Sequence, residues 1–200
     1  MKNDTDILLS TGAAMPALGL GTWKSPPEKA GQAVEHALTK CGYRHIDCAA
    51  IYRNEKEIGA VFKKIFEDGK IKREDIFITS KLWNSEHTRE NVRNACEQTL
   101  ADLNLKYLDL YLMHWGIAIP PNEHPKNNLT GRWTEELDKN GFLITDKISI
   151  RETWEAMEEV GLTQSSMEKI PELVAKAGFT PKVKKIVIAR RKATKQSNKI

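Results

Sequence analysis

The chain has 200 residues, 40% of them hydrophobic, which is enough for one domain with a sizeable core. Its net charge of +4 is unevenly distributed, because residues 182–200 hold eight lysines or arginines and no acid, and the remaining 181 residues therefore sum to −4. This basic segment explains the pI of about 8.9, so the overall charge does not by itself indicate a nucleic-acid-binding protein.

Cysteine usage and hydropathy argue against several classes of protein. Cys41, Cys48 and Cys96 are odd in number and show neither a CxxC motif nor metal-ligand spacing, which predicts buried thiols in a reducing compartment and no metal site. The amino terminus lacks the apolar region of a secretory signal, and no run approaches the roughly 18 apolar residues of a membrane-spanning helix. We therefore expect a cytoplasmic protein with no membrane partner.

The amino-terminal part predicts a small hairpin followed by the first strand of a sheet. Two short apolar runs flank a turn at residues 11–12, and Leu18–Thr22 then has the pattern of a strand that ends beside Trp23. Gly19 and Gly21 leave this strand without side chains, which suits the close approach of a ligand or of another backbone. No GxGxxG motif opens a helix here, so the sequence lacks the usual dinucleotide phosphate cradle.

Three more strands follow, each with a helical pattern behind it. They are Arg44–Cys48, Asp75–Leu82 and Leu108–Trp115. Ser25, Asn54 and Thr88 are placed to cap the helices, and Gly69 to end one of them. Successive strands begin about 26, 31 and 33 residues apart, the length of a βα unit, which predicts a parallel sheet with right-handed crossovers.

The region after the fourth strand is less regular. Residues 116–149 form a long connection, which indicates a functional loop or a disordered one, and a turn is predicted at residues 139–141. Residues 149–160 then predict an amphipathic helix, and residues 161–177 hold one more helical pattern. Val183–Ala189 has the composition of a strand, and the basic end predicts a solvated, irregular tail.

Four side chains able to handle protons stand at the ends of the predicted strands or in the loops that follow them. They are Asp47, Tyr52, Lys81 and His114. In a parallel barrel or a doubly wound sheet, the carboxyl ends of the strands converge on one crevice. These residues are therefore expected to meet in space, although 67 positions separate the first from the last.

Together the four groups suit protonation of a carbonyl oxygen. A phenol is a weak acid at neutral pH, and a neighbouring ammonium favours its ionised form and brings it nearer the range of a general acid. Asp47 would hold Lys81 in place, and His114 would donate a hydrogen bond to a substrate oxygen. Taken singly, each residue also fits a purely structural role, at a rim, a solvated strand end, a helix cap or the core.

Five segments carry a resemblance to a known family. They are GLGTW at Gly19–Trp23, YRHIDCAAIYRNEKEIG at Tyr43–Gly59, ITSKLWN at Ile78–Asn84, LDLYLMHW at Leu108–Trp115 and RETWEAMEE at Arg151–Glu159. In these segments the chain resembles the aldo-keto reductase superfamily, in particular its aldose and aldehyde reductase branch. The similarity runs from residue 7 to about residue 159.

The resemblance implies a fold and an activity. The fold would be an α/β partial (β/α)8 barrel of the TIM type, with about four to five βα units and an N-terminal β-hairpin. The activity would be NADPH-dependent reduction of aldehyde or ketone carbonyls to alcohols, with NADPH lying across the C-terminal face of the barrel.

The resemblance also implies roles for individual residues. Tyr52 would be the proton donor, Lys81 and Asp47 its tuning pair, and His114 the group that orients a small-molecule carbonyl substrate. The cofactor contacts would come from Gly21, Thr22, Trp23 and Asp47, and the walls of the substrate pocket from Trp23, Trp83 and Trp115.

The sequence departs from the family pattern after Val160. Nothing there matches the family's fifth strand, with its GVSNF ending, or the Lys-Ser…Arg cluster that would bind the adenosine 2′-phosphate. We therefore expect an incomplete, truncated barrel domain over residues 1–181 and a basic tail over residues 182–200. Two alternatives stay open: an active reductase, or a catalytically inactive remnant that serves as a protein-interaction module.

An incomplete barrel has consequences for partners. Open sheet edges, together with an interior face of uncovered Val, Ile and Leu, predict self-association. The basic tail lacks interleaved aromatic residues and any recognised motif, so a solvated tail is favoured over a nucleic-acid-binding one.

Overall fold

The computed structural model describes residues 6–9, 11–26, 28–120 and 138–167, with side chains as far as residue 161. The predicted strand Val183–Ala189, the helical pattern beyond residue 167 and the basic tail lie outside these residues. No helix within the described ranges is long and apolar enough to cross a membrane.

A hairpin opens the chain, as the apolar runs predict. Strand β1 (Asp6–Leu8) pairs antiparallel with β2 (Ala14–Pro16), and Gly12 in the turn between them has a φ of 85°, which a residue with a Cβ adopts only with strain. The hairpin packs against Phe77 and Leu110 at the amino-terminal end of the main sheet.

Four parallel strands form the main sheet in the order of the chain. They are β3 (Leu20–Gly21), β4 (His45–Asp47), β5 (Phe77–Leu82) and β6 (Leu110–Met113). The register places Gly21 beside Asp47, Asp47 beside Thr79, and Lys81 beside Leu112. Each strand is shorter than the sequence pattern predicts, but all four lie where the pattern places them.

A helix follows each of these strands, which makes four βα units. The helices are α1 (Lys29–Thr39), α2 (Glu55–Asp68), α3 (Arg89–Asp102) and α4 (Ile150–Met167). The last of them is longer than predicted, because it continues past Val160 as one element. The alternation confirms the predicted partial barrel, with α2 packing between α1 and α3, and α4 packing on α3.

The ends of the helices follow two of the four predicted signals in full, at Thr88 and Gly69; Asn54 does precede α2, but its side chain makes no capping hydrogen bond. The Thr88 hydroxyl accepts a hydrogen bond from the Asn91 amide at 3.2 Å and so caps α3, and Gly69 ends α2 with a φ of 72°. Ser25 was expected to cap α1, but that helix begins at Lys29. Its first amides are instead bound by Glu57 of α2, whose carboxylate accepts from Glu28 N at 3.0 Å and from Gly31 N at 2.6 Å.

The core lies between the helices and one face of the sheet. It is built from apolar residues of both, among them Val34, Leu38, Ile46, Ile58, Phe62, Ile78, Leu82, Val92, Leu103 and Met157. Each such side chain contributes roughly 1.5–3 kcal/mol when fully buried. The prediction that all three thiols are buried is wrong for Cys41, which is exposed just after α1, whereas Cys48 and Cys96 are buried.

For the four described strands, the prediction of an interior face made of uncovered Val, Ile and Leu is also wrong. Side chains alternate along a strand, so the residues opposite the core face the interior of the barrel. On this face stand polar groups at His45, Asp47, Thr79 and Lys81. The apolar side chains at its lower end, Phe77 and Leu110, are buried under the hairpin.

Candidate active site

The Lys81 ammonium lies at the centre of a cluster at the carboxyl end of the sheet. Its Nζ donates to Asp47 Oδ1 at 2.7 Å and to the Cys48 carbonyl at 2.8 Å. Its third hydrogen faces the Tyr52 hydroxyl, with 3.4 Å between Nζ and Oη. The three ammonium hydrogens thus have three different acceptors, which fixes the position of the charge.

The strands and the loops that follow them bring these residues together. Asp47 is the last residue of β4, and Lys81 is the next to last of β5. Tyr52 ends a short 3₁₀ turn, Ala50–Tyr52, that leads from β4 towards α2. His114 follows β6 directly, and its amide donates to the Leu82 carbonyl at 3.0 Å.

Aromatic rings surround the Tyr52 phenol. The His114 ring meets it edge to face at 5.7 Å between centroids, and the Trp23 ring stacks on it at 6.4 Å. Trp83 is buried and contacts the His114 ring at 5.3 Å, and Trp115 lies 5.5 Å from Trp83. The three tryptophans predicted to line a pocket therefore all lie within this ring cluster.

The His114 imidazole is neutral at physiological pH. Burial lowers its pKa to about 4, and the Lys81 ammonium acts in the same direction, against the weaker opposing effect of Asp47. Its Nδ1 is buried without a hydrogen-bond partner among the described residues. A neutral imidazole keeps one N–H that can be donated to an oxygen in the crevice.

The residues expected to contact a cofactor border the same crevice. Thr22 is buried, and its hydroxyl donates to the Asp47 carbonyl at 3.0 Å, which ties the end of β3 to the end of β4. A Cβ added at Gly21 would meet no atom within 4 Å, so there is open space above this strand end. Gly19 differs. A Cβ added there would lie 2.9 Å from the His45 ring, so the missing side chain makes room for that ring and not for a ligand or a backbone.

Sequence reasoning did not assign three polar residues that hold the site from behind. Asn54 Nδ2 donates to the Thr22 carbonyl at 2.8 Å, and Ser80 Oγ donates to Glu55 Oε1 at 2.6 Å. All three side chains are buried. No sequence signal marked them, since Asn and Glu are ordinary residues at a helix start and their partners lie on other strands.

A second concave region lies at the opposite end of the sheet. This cleft has a volume of about 750 Å³ and is lined by residues of the hairpin and of the β4 and β5 starts, including Pro16, Tyr43, Arg44 and Phe77. None of the four proton-handling residues borders it. We therefore assign the site to the carboxyl ends of the strands, where the proton-handling residues lie, and not to this cleft.

Fold and site together define a class of protein. Parallel βα units with functional side chains at the carboxyl ends of successive strands are the arrangement of TIM-type barrels. The sequence pattern of the Aldo/keto reductase family matches residues 16–165. The chain belongs to the aldo/keto reductase family.

Relatives of known sequence agree with this assignment. The chain is 44% identical over 189 residues to aldo-keto reductase family 1 member A1 of Pongo abelii, which covers 88% of this chain and 54% of the relative. It is 43% identical over 187 residues to an aldo/keto reductase of Synechocystis, with 89% and 54% covered. The chain thus spans about half the length of the curated relatives it matches.

Solved structures place the fold in the same group. The aldose reductase of Schistosoma japonicum is 44% identical and superposes with a TM-score of 0.68, over 79% of this chain and 49% of that one. An aldo-keto reductase of Bombyx mori, solved in complex with NADP, is 32% identical with a TM-score of 0.65, over 79% and 47%.

Proposed function

We propose that the protein reduces aldehyde or ketone carbonyls of small molecules to alcohols with NADPH as the reductant. One observation carries the proposal: a single ammonium, Lys81 Nζ, binds the Asp47 carboxylate and faces the Tyr52 hydroxyl. This pairing gives a phenol a fixed positive neighbour, which a proton donor needs and a purely structural tyrosine does not.

Each side chain has a distinct part in the proposed reaction. Tyr52 Oη gives its proton to the carbonyl oxygen, and the Lys81 ammonium stabilises the phenolate that remains. Asp47 holds that ammonium in place. The neutral His114 imidazole donates its N–H to the same oxygen and so orients the carbonyl, while Trp23, Trp83 and Trp115 exclude water from the crevice.

The residues present fit the nicotinamide end of the cofactor. When bound, NADPH supplies a hydride to the carbonyl carbon. Gly21, Thr22, Trp23 and Asp47 would hold it, because the open space above Gly21 leaves room for a flat ring beside the exposed face of Trp23. These proposed contacts all belong to the nicotinamide end, so the affinity of the chain for NADPH needs its own measurement.

The Tyr52→Phe variant tests the proposed donor. We expect its rate of aldehyde reduction with NADPH to fall by about 10²-fold or more, because a general acid contributes roughly that factor. Tyr43→Phe, which changes a tyrosine at the opposite end of the sheet, serves as the matched control and should keep the wild-type rate. An unchanged rate in the Tyr52 variant, with circular dichroism showing a folded chain, would reject Tyr52 as the donor.

The alternative of a catalytically inactive interaction module has its own measurable consequence. In the described part of the chain, β3 and β6 each have a strand neighbour on one side only. Self-association through these edges remains a prediction, and its expected result is a dimer or larger species in sedimentation velocity. A monomer across a hundredfold range of concentration would contradict it.

A further inference from the structure

The Glu55 carboxyl is buried behind the site, on the core side of the sheet. The residue is 4% exposed, and its Oε1 accepts a hydrogen bond at 2.6 Å from the hydroxyl of Ser80, which is fully buried. Ser80 directly precedes Lys81 on β5, so one hydrogen bond connects the first turn of α2 to the strand that carries the ammonium.

A carboxyl in this position is expensive for the fold. No lysine or arginine of the described ranges lies within 4 Å of it. Burial raises its pKa to about 7, although the amino terminus of a helix ordinarily favours a carboxylate. Hydrogen bonds with the Ser80 and Thr99 hydroxyls oppose this rise of the pKa, and the one with Ser80 connects Glu55 to the strand that carries Lys81.

The neighbouring residue makes a second tie, to the other side. Asn54 precedes α2 as its N-cap residue, but its side chain makes no capping hydrogen bond and donates to the Thr22 carbonyl instead. β3 and β5 are the two neighbours of β4 in the sheet. Asn54 therefore contacts the end of β3, and Glu55 contacts β5. Both follow Tyr52 within three residues.

We propose that Glu55 is a positioning residue, whose hydrogen bond with Ser80 holds Tyr52 at its distance from Lys81. This inference rests on the proposed function, in which Tyr52 donates the proton. The 3.4 Å between Tyr52 Oη and Lys81 Nζ is at the outer limit of a hydrogen bond, so a small shift of the turn that carries Tyr52 breaks the pair.

The geometry of the turn shows why it needs an external tie. Two backbone hydrogen bonds close the turn, from the Tyr52 amide to the Ala49 carbonyl at 2.9 Å and from the Arg53 amide to the Ala50 carbonyl at 3.1 Å. It ends at Arg53, which has a φ of 56°, in the left-handed region. The ties from Asn54 and Glu55 hold this strained end against the sheet.

Amide hydrogen exchange tests the tie without cofactor or substrate. In Ser80→Ala and in Glu55→Ala, we expect the Tyr52 and Arg53 amides to exchange at least tenfold faster, while those of Phe77 and Asp109 at the other end of the sheet stay within twofold. Glu55→Gln keeps a carbonyl that accepts from Ser80 and should exchange as the wild type does. Glu67→Gln removes an exposed carboxylate from the same helix and is the matched control.

The result that overturns the proposal is an even rise at all four amides or no rise at all. An even rise would mean that Glu55 only adds to global stability. No rise would mean that the hydrogen bond between Ser80 and Glu55 does not hold the turn that carries Tyr52. If Glu55→Ala does not fold, Ser80→Ala, which keeps the carboxyl, decides the matter.

Kinetics separate this inference from the function on which it rests. If the wild type reduces aldehydes, Ser80→Ala should lower kcat by about tenfold with KM unchanged, and Glu55→Gln should retain kcat. A wild type without activity would reject the proposed function and leave the exchange result standing. An active wild type with an unchanged kcat in Ser80→Ala would reject the positioning role alone.

Discussion

Two ionisable groups near the ammonium, the half-buried His114 and the buried Glu55, have pKa values that are shifted in opposite directions. Burial lowers the pKa of His114 and raises that of Glu55, because in each case the low-dielectric surroundings disfavour the charged form. Lys81 stands between them on β5 and keeps its three acceptors. Near neutral pH the site therefore combines a neutral imidazole with one fixed positive charge, which is the state the proposed proton transfer requires.

The His114 ring should titrate at a lower pH than an ordinary histidine. We expect its ring resonances to move with a midpoint near pH 4, far below the ordinary value of 6.5, in a proton NMR titration assigned with His114→Gln. The unfolded chain binds a proton at higher pH than the folded chain does, so the stability that this group contributes is lost as pH falls from about 6.5 towards 4. A midpoint above 6 would contradict the burial of the ring.

The second prediction concerns the charge of Glu55. Its folded-state pKa of about 7 lies above the ordinary 4.5, so the folded chain holds the proton more tightly and stability falls as pH rises through this interval. Glu55→Gln should remove this fall. Between pH 4.5 and pH 8 its free energy of unfolding, measured with urea, should gain on the order of 3 kcal/mol relative to that of the wild type. The exposed Glu67→Gln should follow the wild-type curve.

At the scale of the elements, one glycine lies at the contact between α2 and α3. Among the described glycines, Gly59 leaves the least room for a side chain. A Cβ added at Gly59 would lie 2.1 Å from the Asp102 carbonyl oxygen and 2.7 Å from Leu103 backbone atoms. These are backbone groups, so the helices themselves must move apart to admit a methyl group. Gly59 therefore sets how closely α3 approaches α2.

Gly59→Ala should accordingly destabilise the fold by about 1–3 kcal/mol, although alanine is the better helix former. Gly31→Ala is the comparison, because its nearest neighbours are the Glu57 and Val61 side chains, at 3.1–3.2 Å, which can give way. We expect the urea midpoint of unfolding to be highest for the wild type, lower for Gly31→Ala and lowest for Gly59→Ala. Equal stability of Gly59→Ala and wild type would show that the two helices are not in fixed contact.

The elements also show what the sequence could and could not predict. Periodicity and local caps predicted the strands, the helix start at Thr88 and the helix end at Gly69, because these signals lie within a few residues of the feature. The start of α1 depends on the Glu57 carboxylate, which accepts from the Glu28 amide 29 residues earlier in the chain. No local sequence pattern reveals a capping group that another helix supplies. The buried polar ties of Asn54 and Glu55 were missed for the same reason, since their partners are on other strands.

At the scale of the whole molecule, the question is whether this set of residues binds the cofactor. Among the described residues, the proposed cofactor contacts all belong to the nicotinamide end. The comparison with curated relatives concerns about half of their length, so it establishes the family and leaves affinity to measurement.

A thermal shift measures that affinity directly. We expect NADPH to raise the melting temperature, because a ligand that binds only the folded state stabilises it in proportion to the logarithm of its concentration over Kd. Trp23→Ala, which removes the exposed ring at the crevice, should reduce the shift. Adenosine 2′,5′-bisphosphate should give no shift if the adenosine end has no site, and a shift equal to that of NADPH would contradict this account.

The exposed thiol of Cys41 gives these measurements a practical route. The chain has three cysteines, and the other two, Cys48 and Cys96, are buried with raised pKa values, so they resist alkylation. Cys41 precedes β4, at the end of the sheet remote from Lys81. A maleimide would therefore anchor every molecule to a sensor chip through the same atom, with the crevice turned towards the flowing buffer.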